Sequence, residues 1–257
     1  MPITIAIAQQ KGGAGKTPTA IHLSYAFSYL GKKTLFIDLD AQATGSLHLL
    51  GTSYKEIQPT IYNALIALKA ITPIKISEYL YLLPAHDELE KAEIELPRPG
   101  AFYQVQLAKL LKLYDDYDYI VIDTPGSRVS IFATLALTAA NTVIIPCKTE
   151  IAQAMATADT MNLIEDVKSG LNPWLVIWGI LPTQFEGNVL HHQEVLELLK
   201  ETKDPNGKPY PVYSEPSRKT TRYNDATSMQ VDARQLDPHL GKYWDKVASS
   251  VTAAVRG

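Results

Sequence analysis

The sequence has one cysteine, no excess of positive charge and no long apolar run. The single cysteine, Cys147, excludes an internal disulfide and is typical of a reducing compartment. The formal net charge is −3, so nucleic acid can be bound only through a local basic patch. No stretch reaches the roughly 18 apolar residues of a membrane span, and the apolar start of the chain is too short for a secretion signal. We therefore expect a cytoplasmic protein.

Short apolar runs alternate along the chain with segments of helical periodicity. Strands are predicted at residues 3–9, 33–40, 79–85, 118–126, 141–147 and 173–183. Helices are predicted at residues 19–31, 60–69, 87–96, 104–114 and 156–169, with a closing helix that carries Trp244, Val247, Val251 and Val255 on one stripe. This alternation predicts an α/β fold with a mostly parallel twisted sheet and helices on both faces.

The proline-containing region 201–239 breaks the alternation. We predict that it is rich in loops, with one short strand near residues 210–214. The length of 257 residues suits one large core, so a single domain is expected over 1–257. In sheets of this kind, ligands bind at the carboxyl ends of the strands.

The glycine-rich stretch QQKGGAGKTP at residues 9–18 follows the first predicted strand. Its end matches the phosphate-binding pattern G-x-x-x-x-G-K-[ST], but Gln10 stands where that pattern has its first glycine. The backbone N–H groups of such a loop, and the helix start behind it, favour an anion. Lys16 would neutralise phosphate charge, and the Thr17 hydroxyl would reach Mg²⁺. The stretch predicts a nucleotide site formed by Gly12, Gly13, Ala14, Gly15, Lys16 and Thr17.

Acidic residues end two other predicted strands. Asp38 and Asp40 follow the second strand, and Asp123 follows the apolar run YIVI. Because parallel strands end at the same edge of a sheet, these carboxylates are expected beside the loop. Asp123 has the position of an acid that holds the metal or its water, and Asp38 and Asp40 are candidates for orienting an attacking water. Asp38 or Asp123 alone could cap a strand end, but together with the loop they predict a nucleotide site.

These motifs resemble the ParA/MinD family of deviant Walker-box ATPases, and more closely its ParA (Soj-like) branch. KGGAGKT at 11–17, FIDLDAQAT at 36–44 and DYIVIDTPG at 118–126 are similar to three boxes of the family. Weaker similarity covers nearly the whole chain. The resemblance implies a P-loop NTPase fold of the deviant Walker A type and Mg²⁺-dependent hydrolysis of ATP to ADP and phosphate. It also implies a homodimer that forms with ATP bound between the protomers.

The resemblance assigns roles to single residues. Lys11 is implied to reach the phosphates bound by the partner protomer, so that charge neutralisation depends on dimerisation; a solvated loop charge is the alternative. The family pattern implies an attacking water near Asp38, a first switch at Asp40 and a metal at Asp123. Gln42 would hydrogen-bond in that switch or remain a surface glutamine.

Four positions depart from the family pattern or add to it. Pro18, counted among the nucleotide-binding residues, replaces the usual threonine and lacks the backbone N–H that would meet the α-phosphate. We expect this to weaken nucleotide contact by about 1 kcal/mol, the net value of one hydrogen bond. Ala41 and Ala43 replace a proline and a glycine of the first switch. Lys148 ends an apolar strand, where it either adds to phosphate or dimer contacts or is a solvated charge.

The stretch PSRKTTRYND at 216–225 gathers Arg218, Lys219 and Arg222 with serine and threonine hydroxyls. DNA phosphates are bound by this mixture, and the stretch is similar to a late family segment associated with DNA contact; an ordinary surface loop is the alternative. Pro216 is expected to contact the nucleotide.

In the ParA branch, the ATP-bound dimer binds nucleoid DNA without sequence preference, and a ParB-like adaptor stimulates hydrolysis. The resemblance implies partition of a plasmid or chromosome (DNA segregation), or carboxysome positioning.

Two alternatives use the same motifs. A MinD-like protein held on a membrane requires a C-terminal helix with a basic face. The closing helix offers only Lys242, Lys246 and Arg256, which favours docking on the core over a membrane partner. A metabolic P-loop enzyme is the other alternative: a relative of dethiobiotin synthetase would lack Lys11 and would need a small-substrate pocket, whereas a relative of the nitrogenase iron protein would need cluster cysteines. One cysteine does not fit an iron–sulfur cluster.

Overall fold

The computed structural model describes residues 1–98, 102–127, 130–204 and 206–256. One sheet is formed by β1 (Ile3–Ile7), β2 (Thr34–Asp38), β3 (Ile74–Lys75), β4 (Leu80–Leu83), β5 (Tyr119–Asp123), β6 (Thr142–Lys148) and β7 (Val176–Thr183). The helices are α1 (Lys16–Tyr29), α2 (Thr44–Leu50), α3 (Ile61–Ala67), α4 (Ala92–Glu95), α5 (Gln106–Leu111), α6 (Ile131–Ala139), α7 (Ile151–Gly170), α8 (Leu190–Glu201), α9 (Arg222–Met229) and α10 (Pro238–Arg256). Short 3₁₀ helices lie at Gly51–Glu56, Asp87–Lys91, Tyr103–Val105 and Ala233–Gln235.

The sheet has the strand order β3-β4-β2-β5-β1-β6-β7. Every neighbouring pair is parallel except β3 with β4. The register sets Asp123 beside Ile7 on one side and beside Asp38 on the other. The carboxyl ends of β1, β2 and β5 therefore meet at one edge, where the glycine-rich loop begins. The predicted mostly parallel sheet is confirmed.

Successive side chains of a strand point to opposite faces of the sheet, and both faces here are apolar. Ile5 and Ile7 of β1 pack in a layer with α1 and α10, whereas Ala6 and Ala8 pack in a layer with α5, α6 and α7. The strands are therefore buried on both sides, which explains their nearly continuous apolar sequences. The prediction of helices on both faces is confirmed.

Helix α10 docks on the core, as predicted. Trp244, Val247 and Val251 are buried against the layer of α1, whereas Val255 is partly exposed near the end of the helix. Among the residues that the structure describes, no helix combines the length and the apolar character needed to cross a membrane.

The region 201–239 differs from its prediction. It contains the helix α9, which the sequence pattern does not indicate because prolines and polar residues surround it. The predicted strand near 210–214 is wrong, because this part of the described chain makes only an isolated parallel bridge between Val212 and Ile180. Pro209 and Pro211 have no N–H to extend a ladder. In addition, an added Cβ at Gly179 would lie 2.6 Å from the carbonyl oxygen of Pro211, so the two segments cross closely at one point.

Candidate nucleotide site

The loop between β1 and α1 has a backbone form that glycine permits. Gly13 and Gly15 have φ angles of 78° and 90°, in the left-handed region that residues with a side chain seldom occupy. Gly15 is the N-cap of α1, and Lys16, Thr17 and Pro18 form the first turn. Pro18 breaks no helical hydrogen bond there. The start of α1 thus stands directly behind the loop, as a phosphate site requires.

Four successive carbonyl groups of the loop each accept a hydrogen bond from a side chain. The pairs are Lys11 O with Lys16 Nζ (3.3 Å), Gly12 O with Gln153 Nε2 (2.9 Å), Gly13 O with Gln184 Nε2 (3.2 Å) and Ala14 O with Thr183 Oγ1 (2.8 Å). The donors belong to α1, to α7 and to the end of β7. The loop is therefore fastened to three separate parts of the protein.

Lys16 enters the site as a buried cation. Its side chain is almost fully covered, and burial lowers the pKa of its amine, while Asp123 and Asp40 act in the opposite direction. Gly126 makes room for this arrangement: a Cβ there would lie 2.9 Å from Lys16 Nζ and 3.0 Å from the backbone of Gly12. An ammonium group held against the loop and faced by acids is suited to neutralise phosphate charge.

Asp123 ends β5 with a fully buried carboxylate. Among the described residues, neither of its oxygens has a hydrogen-bond partner of acceptable geometry. Burial, and next the charge of Asp38, raise the pKa of Asp123 well above its ordinary value, whereas Thr17 and Lys16 lower it. An unpartnered buried carboxylate is costly, and beside a hydroxyl it fits Mg²⁺, a hard cation that takes oxygen ligands and keeps several waters. Asp123 and Thr17 are the residues suited to hold this metal.

Asp38 is held by the helix that follows it. Its Oδ2 accepts hydrogen bonds from the Ser46 N–H at 2.7 Å and from the Ser46 hydroxyl at 2.8 Å. Ser46 Oγ in turn accepts from the Ala85 N–H at 2.9 Å. Gly45 permits this approach, since a Cβ there would lie 2.7 Å from the ring of Phe36. Burial raises the pKa of Asp38 to about 6, although the bonds from Ser46 oppose the shift.

The segment between Asp38 and α2 corresponds to the predicted first switch. Asp40 is half-buried, and its Oδ1 accepts from the Gln42 N–H at 3.0 Å, so this carboxylate shapes the turn. Gln42 is exposed and Ala41 is half-buried. Ala43 has a φ of 50°, a left-handed conformation, at a position where the family has glycine. The departure at Ala43 is therefore accompanied by backbone strain.

Lys11 lies in the loop and Lys148 at the end of β6, and each side chain is engaged by its own chain. Lys11 Nζ donates a hydrogen bond to the Ala152 carbonyl in the first turn of α7, at 3.1 Å. Lys148 Nζ pairs with Glu150 at 2.5 Å. This pairing favours the alternative of a strand-end surface charge for Lys148.

A cleft of about 540 Å³ opens beside the loop. The cleft is lined by residues of the loop and α1, of the end of β7, of the basic stretch 216–225 and of α10. Among them are Gly15, Pro18, Thr183, Gln184, Arg218, Lys219 and Trp244. Pro216 lies instead on the wall of a separate cavity of about 290 Å³, together with Tyr210 and Tyr213. Two of the residues predicted to bind DNA thus share the cleft of the phosphate loop, whereas Pro216 does not line it.

The three predicted DNA-binding cations are each paired with an acid. The pairs are Arg218 with Asp237, Lys219 with Glu186 (3.0 Å) and Arg222 with Asp225 (3.3 Å). All three basic side chains are more than half exposed, at 54%, 58% and 53%. The cations lie close together along the chain, just before and at the start of α9, and face solvent.

Sequence reasoning missed the side chains that support the loop and Asp38. Thr183 ends an apolar strand and Gln184 follows it, at the edge of the sheet where ligands bind, so their position in the sequence points to both of them. Gln153 and Ser46 gave no signal, because each lies inside a helix and meets its partner only through the tertiary fold.

Known proteins share this sequence pattern and this fold. Residues 3–177 match the AAA_31 family model, an AAA domain. The chain is 34% identical over 200 residues to the sporulation initiation inhibitor protein Soj of Bacillus subtilis. The aligned part covers 76% of this chain and 78% of Soj.

Solved structures agree with the sequence comparison. The D38A variant of McdA of Cyanothece in complex with ATP has a TM-score of 0.85 and 25% identity, over 98% of this chain and 96% of that one. A cobyrinic acid a,c-diamide synthase of Mycobacterium smegmatis with bound ADP and magnesium has a TM-score of 0.78 and 28% identity, over 95% of this chain and 96% of that one. With its fold and its Soj-like sequence, the chain belongs to the ParA/MinD family of P-loop ATPases.

Proposed function

We propose that this chain binds ATP and Mg²⁺, dimerises on ATP, and uses hydrolysis to position or segregate a cargo on nucleoid DNA. The observation that carries the proposal is the meeting of the fastened glycine loop, buried Lys16 and the buried carboxylate of Asp123 at one sheet edge, where among the described residues no partner of acceptable geometry satisfies that carboxylate. The ATP and the ADP with magnesium bound by the two structural relatives support the choice of ligand.

In this proposal, the loop amides and Lys16 bind the phosphates, and Thr17 and Asp123 hold the metal. When bound, Mg²⁺ neutralises charge on the β- and γ-phosphate oxygens. Asp38 orients the attacking water: Ser46 fills its Oδ2, while its Oδ1 accepts only from the Asp40 N–H, at 3.2 Å, among the described residues. Oδ1 therefore keeps a free lone pair, which can accept a hydrogen bond from the attacking water.

Dimerisation would move Lys11 from its own chain to the partner's phosphates. The bond to be exchanged, from Lys11 Nζ to the Ala152 carbonyl, is exposed, and one such bond contributes about 0.5–1.5 kcal/mol. Light scattering after gel filtration should therefore detect a dimer with ATP and Mg²⁺, a monomer for Lys11→Ala, and a dimer for the control Lys148→Ala. An ATP-bound dimer of Lys11→Ala contradicts the trans role.

DNA binding is proposed for Arg218, Lys219 and Arg222. Exposed ion pairs contribute only about 0–1 kcal/mol, so DNA phosphates can replace the acids that now pair with these cations. Co-sedimentation with nonspecific DNA should require ATP, weaken steeply with salt, and be reduced in Lys219→Ala. The control is Lys200→Ala, which removes a similar exposed pair with Glu197 on α8. Equal sedimentation with and without ATP contradicts the positioning role.

A ParB-like adaptor on the cargo is proposed to stimulate hydrolysis, with the adaptor selecting a plasmid, a chromosome or a protein body such as a carboxysome. ATP turnover measured with the product of the neighbouring gene tests this, and an unchanged turnover contradicts it for that protein.

A second candidate function is that of a metabolic P-loop enzyme, which the likeness to cobyrinic acid a,c-diamide synthase favours. This candidate would be supported if the protein failed to bind DNA in every nucleotide state and if its ATP turnover required a small carboxylic acid.

A further inference from the structure

The phosphate loop takes three of its four carbonyl partners from outside itself: Gln153, Thr183 and Gln184. We infer that these three side chains are positioning residues, which set the direction of the loop amides that receive the nucleotide phosphates. This inference rests on the nucleotide site proposed above and adds to it the side chains that keep the site in shape.

The physical link between these carbonyls and the phosphates is the planar trans peptide. In one peptide unit the C=O and the N–H point in opposite directions. A donor that fixes the carbonyl of Gly12 therefore fixes the N–H of Gly13, and the next two donors fix the N–H groups of Ala14 and Gly15. Three successive amides are thus turned away from the protein donors. Such a run of backbone N–H groups is what binds phosphate in glycine-rich loops.

Glycine makes this support necessary. Gly12 and Gly13 have no side chain, and an added Cβ at either position would meet nothing within 4 Å, so no side-chain packing at these two positions fixes the loop. Unrestrained glycines lose the most conformational freedom when they are ordered. If that ordering occurred on nucleotide binding, it would reduce affinity, whereas a loop ordered by its own protein binds without that cost.

The surroundings of the three donor side chains hold them in position against the loop. Gln153 and Thr183 are nearly buried, with 4% and 5% exposure. Gln153 donates from Nε2 while its Oε1 has no partner among the described residues, so its bond to the loop is the main polar contact that its amide makes. Gln184 has a left-handed φ of 54°, a strained conformation for a residue with a side chain, and it brings the amide within 3.2 Å of the Gly13 carbonyl.

The test replaces each donor by an apolar side chain of similar shape: Gln153→Leu, Thr183→Val and Gln184→Leu. Calorimetric titration of the full chain should show the Kd for ADP and for ATP, each with Mg²⁺, rising about three- to tenfold per variant, as expected for one net hydrogen bond. KM for ATP should rise in parallel, with kcat at saturating ATP within about twofold of wild type. Thr183→Ser keeps the hydroxyl and should restore wild-type affinity.

Two matched controls remove the same kind of bond elsewhere. Gln193 Nε2 donates to the Gly187 carbonyl at 2.8 Å, and Thr142 Oγ1 donates to the Val176 carbonyl at 2.9 Å at the opposite end of the sheet. Gln193→Leu and Thr142→Val should leave the Kd unchanged. If Thr183→Val loses no more affinity than Thr142→Val, and Gln184→Leu no more than Gln193→Leu, the inference is overturned.

Folding failure and failure of the site are kept apart by two further variants. Gln184 is only partly buried, so Gln184→Leu tests the inference even if a core variant does not fold. Lys16→Ala should lose nucleotide binding whatever the fate of the three donors. Wild-type binding by Lys16→Ala would overturn the proposed site itself, whereas loss in Lys16→Ala with unchanged Kd in folded donor variants overturns only the positioning role.

Discussion

Replacing Ser46 by alanine should destabilise the protein far more than replacing an ordinary buried serine. The Ser46 hydroxyl donates to the charged Asp38 at 2.8 Å and accepts from the Ala85 N–H at 2.9 Å. A bond to a charged group contributes about 1.5–3 kcal/mol, and a buried N–H left without an acceptor costs about 1–3 kcal/mol. Because the two effects share one atom and do not add fully, we expect a loss of about 3 kcal/mol in the free energy of unfolding.

Urea unfolding followed by circular dichroism, at pH 7 and without nucleotide, measures this loss. The control is Ser24→Ala, which is equally buried but donates only to the Ala20 carbonyl within its own helix. Alanine is the better helix former, so this control should change stability by less than about 1 kcal/mol. A loss for Ser46→Ala within about 1 kcal/mol of that for Ser24→Ala would refute the reasoning. A loss of turnover with Ser46→Ala should accompany the lower stability, because the carboxylate loses its orientation.

Three other changes test the site. Gly126→Ala puts a methyl group 3.0 Å from the backbone of Gly12 and 2.9 Å from Lys16 Nζ, so the loop must shift and ATP affinity should fall about tenfold, or about 1.4 kcal/mol. Gly170→Ala, whose added methyl group meets nothing within 4 Å, should leave ATP affinity unchanged. Burial raises the pKa of Asp38 from 3.8 to about 6, so the folded chain binds this proton more tightly than the unfolded chain. The contribution of Asp38 to the free energy of unfolding should therefore fall by about 2 kcal/mol as pH rises from about 4 to about 6. Urea titrations of Asp38→Asn should lack this fall, and equal pH slopes in the two proteins would contradict it. Lys11→Ala and Lys16→Ala should each be inactive alone but regain ATPase activity when mixed, because a mixed dimer has one complete site; no recovery argues for action in cis.

The parts of the site that sequence predicts are those encoded by neighbours in the chain. The glycine loop, Lys16 and Thr17 form one uninterrupted stretch, and the acids at 38 and 123 directly end apolar runs. Parallel pairing then places these ends together with no further information, since Asp38, Asp123 and Ile7 share one register. For the same reason, the mostly parallel sheet and its two apolar layers follow from the alternation of strands and helices.

The contacts that support those residues depend on tertiary packing and leave no local pattern. Gln153 meets Gly12 across 141 positions. A glutamine in a helix is ordinarily a surface residue, so its sequence context gives no reason to expect a buried bond. Helix α9 was missed because prolines surround it, and its burial comes from Ala226, which packs with Ala233 and Leu240 beyond the helix. The pairing of Arg218 with Asp237 likewise joins segments whose approach no sequence rule specifies.

The place of β1 in the sheet has a consequence for how nucleotide is exchanged. β1 has β5 on one side and β6 on the other, with helices over both faces. Amide hydrogens of such a central strand exchange with solvent only when the protein unfolds globally, whereas termini and edges unfold locally and more often. The loop therefore starts from the part of the molecule that opens least often. Release of a nucleotide must then come from movements of the loop's own side-chain partners and of the switch before α2, at rates unrelated to the unfolding of the sheet.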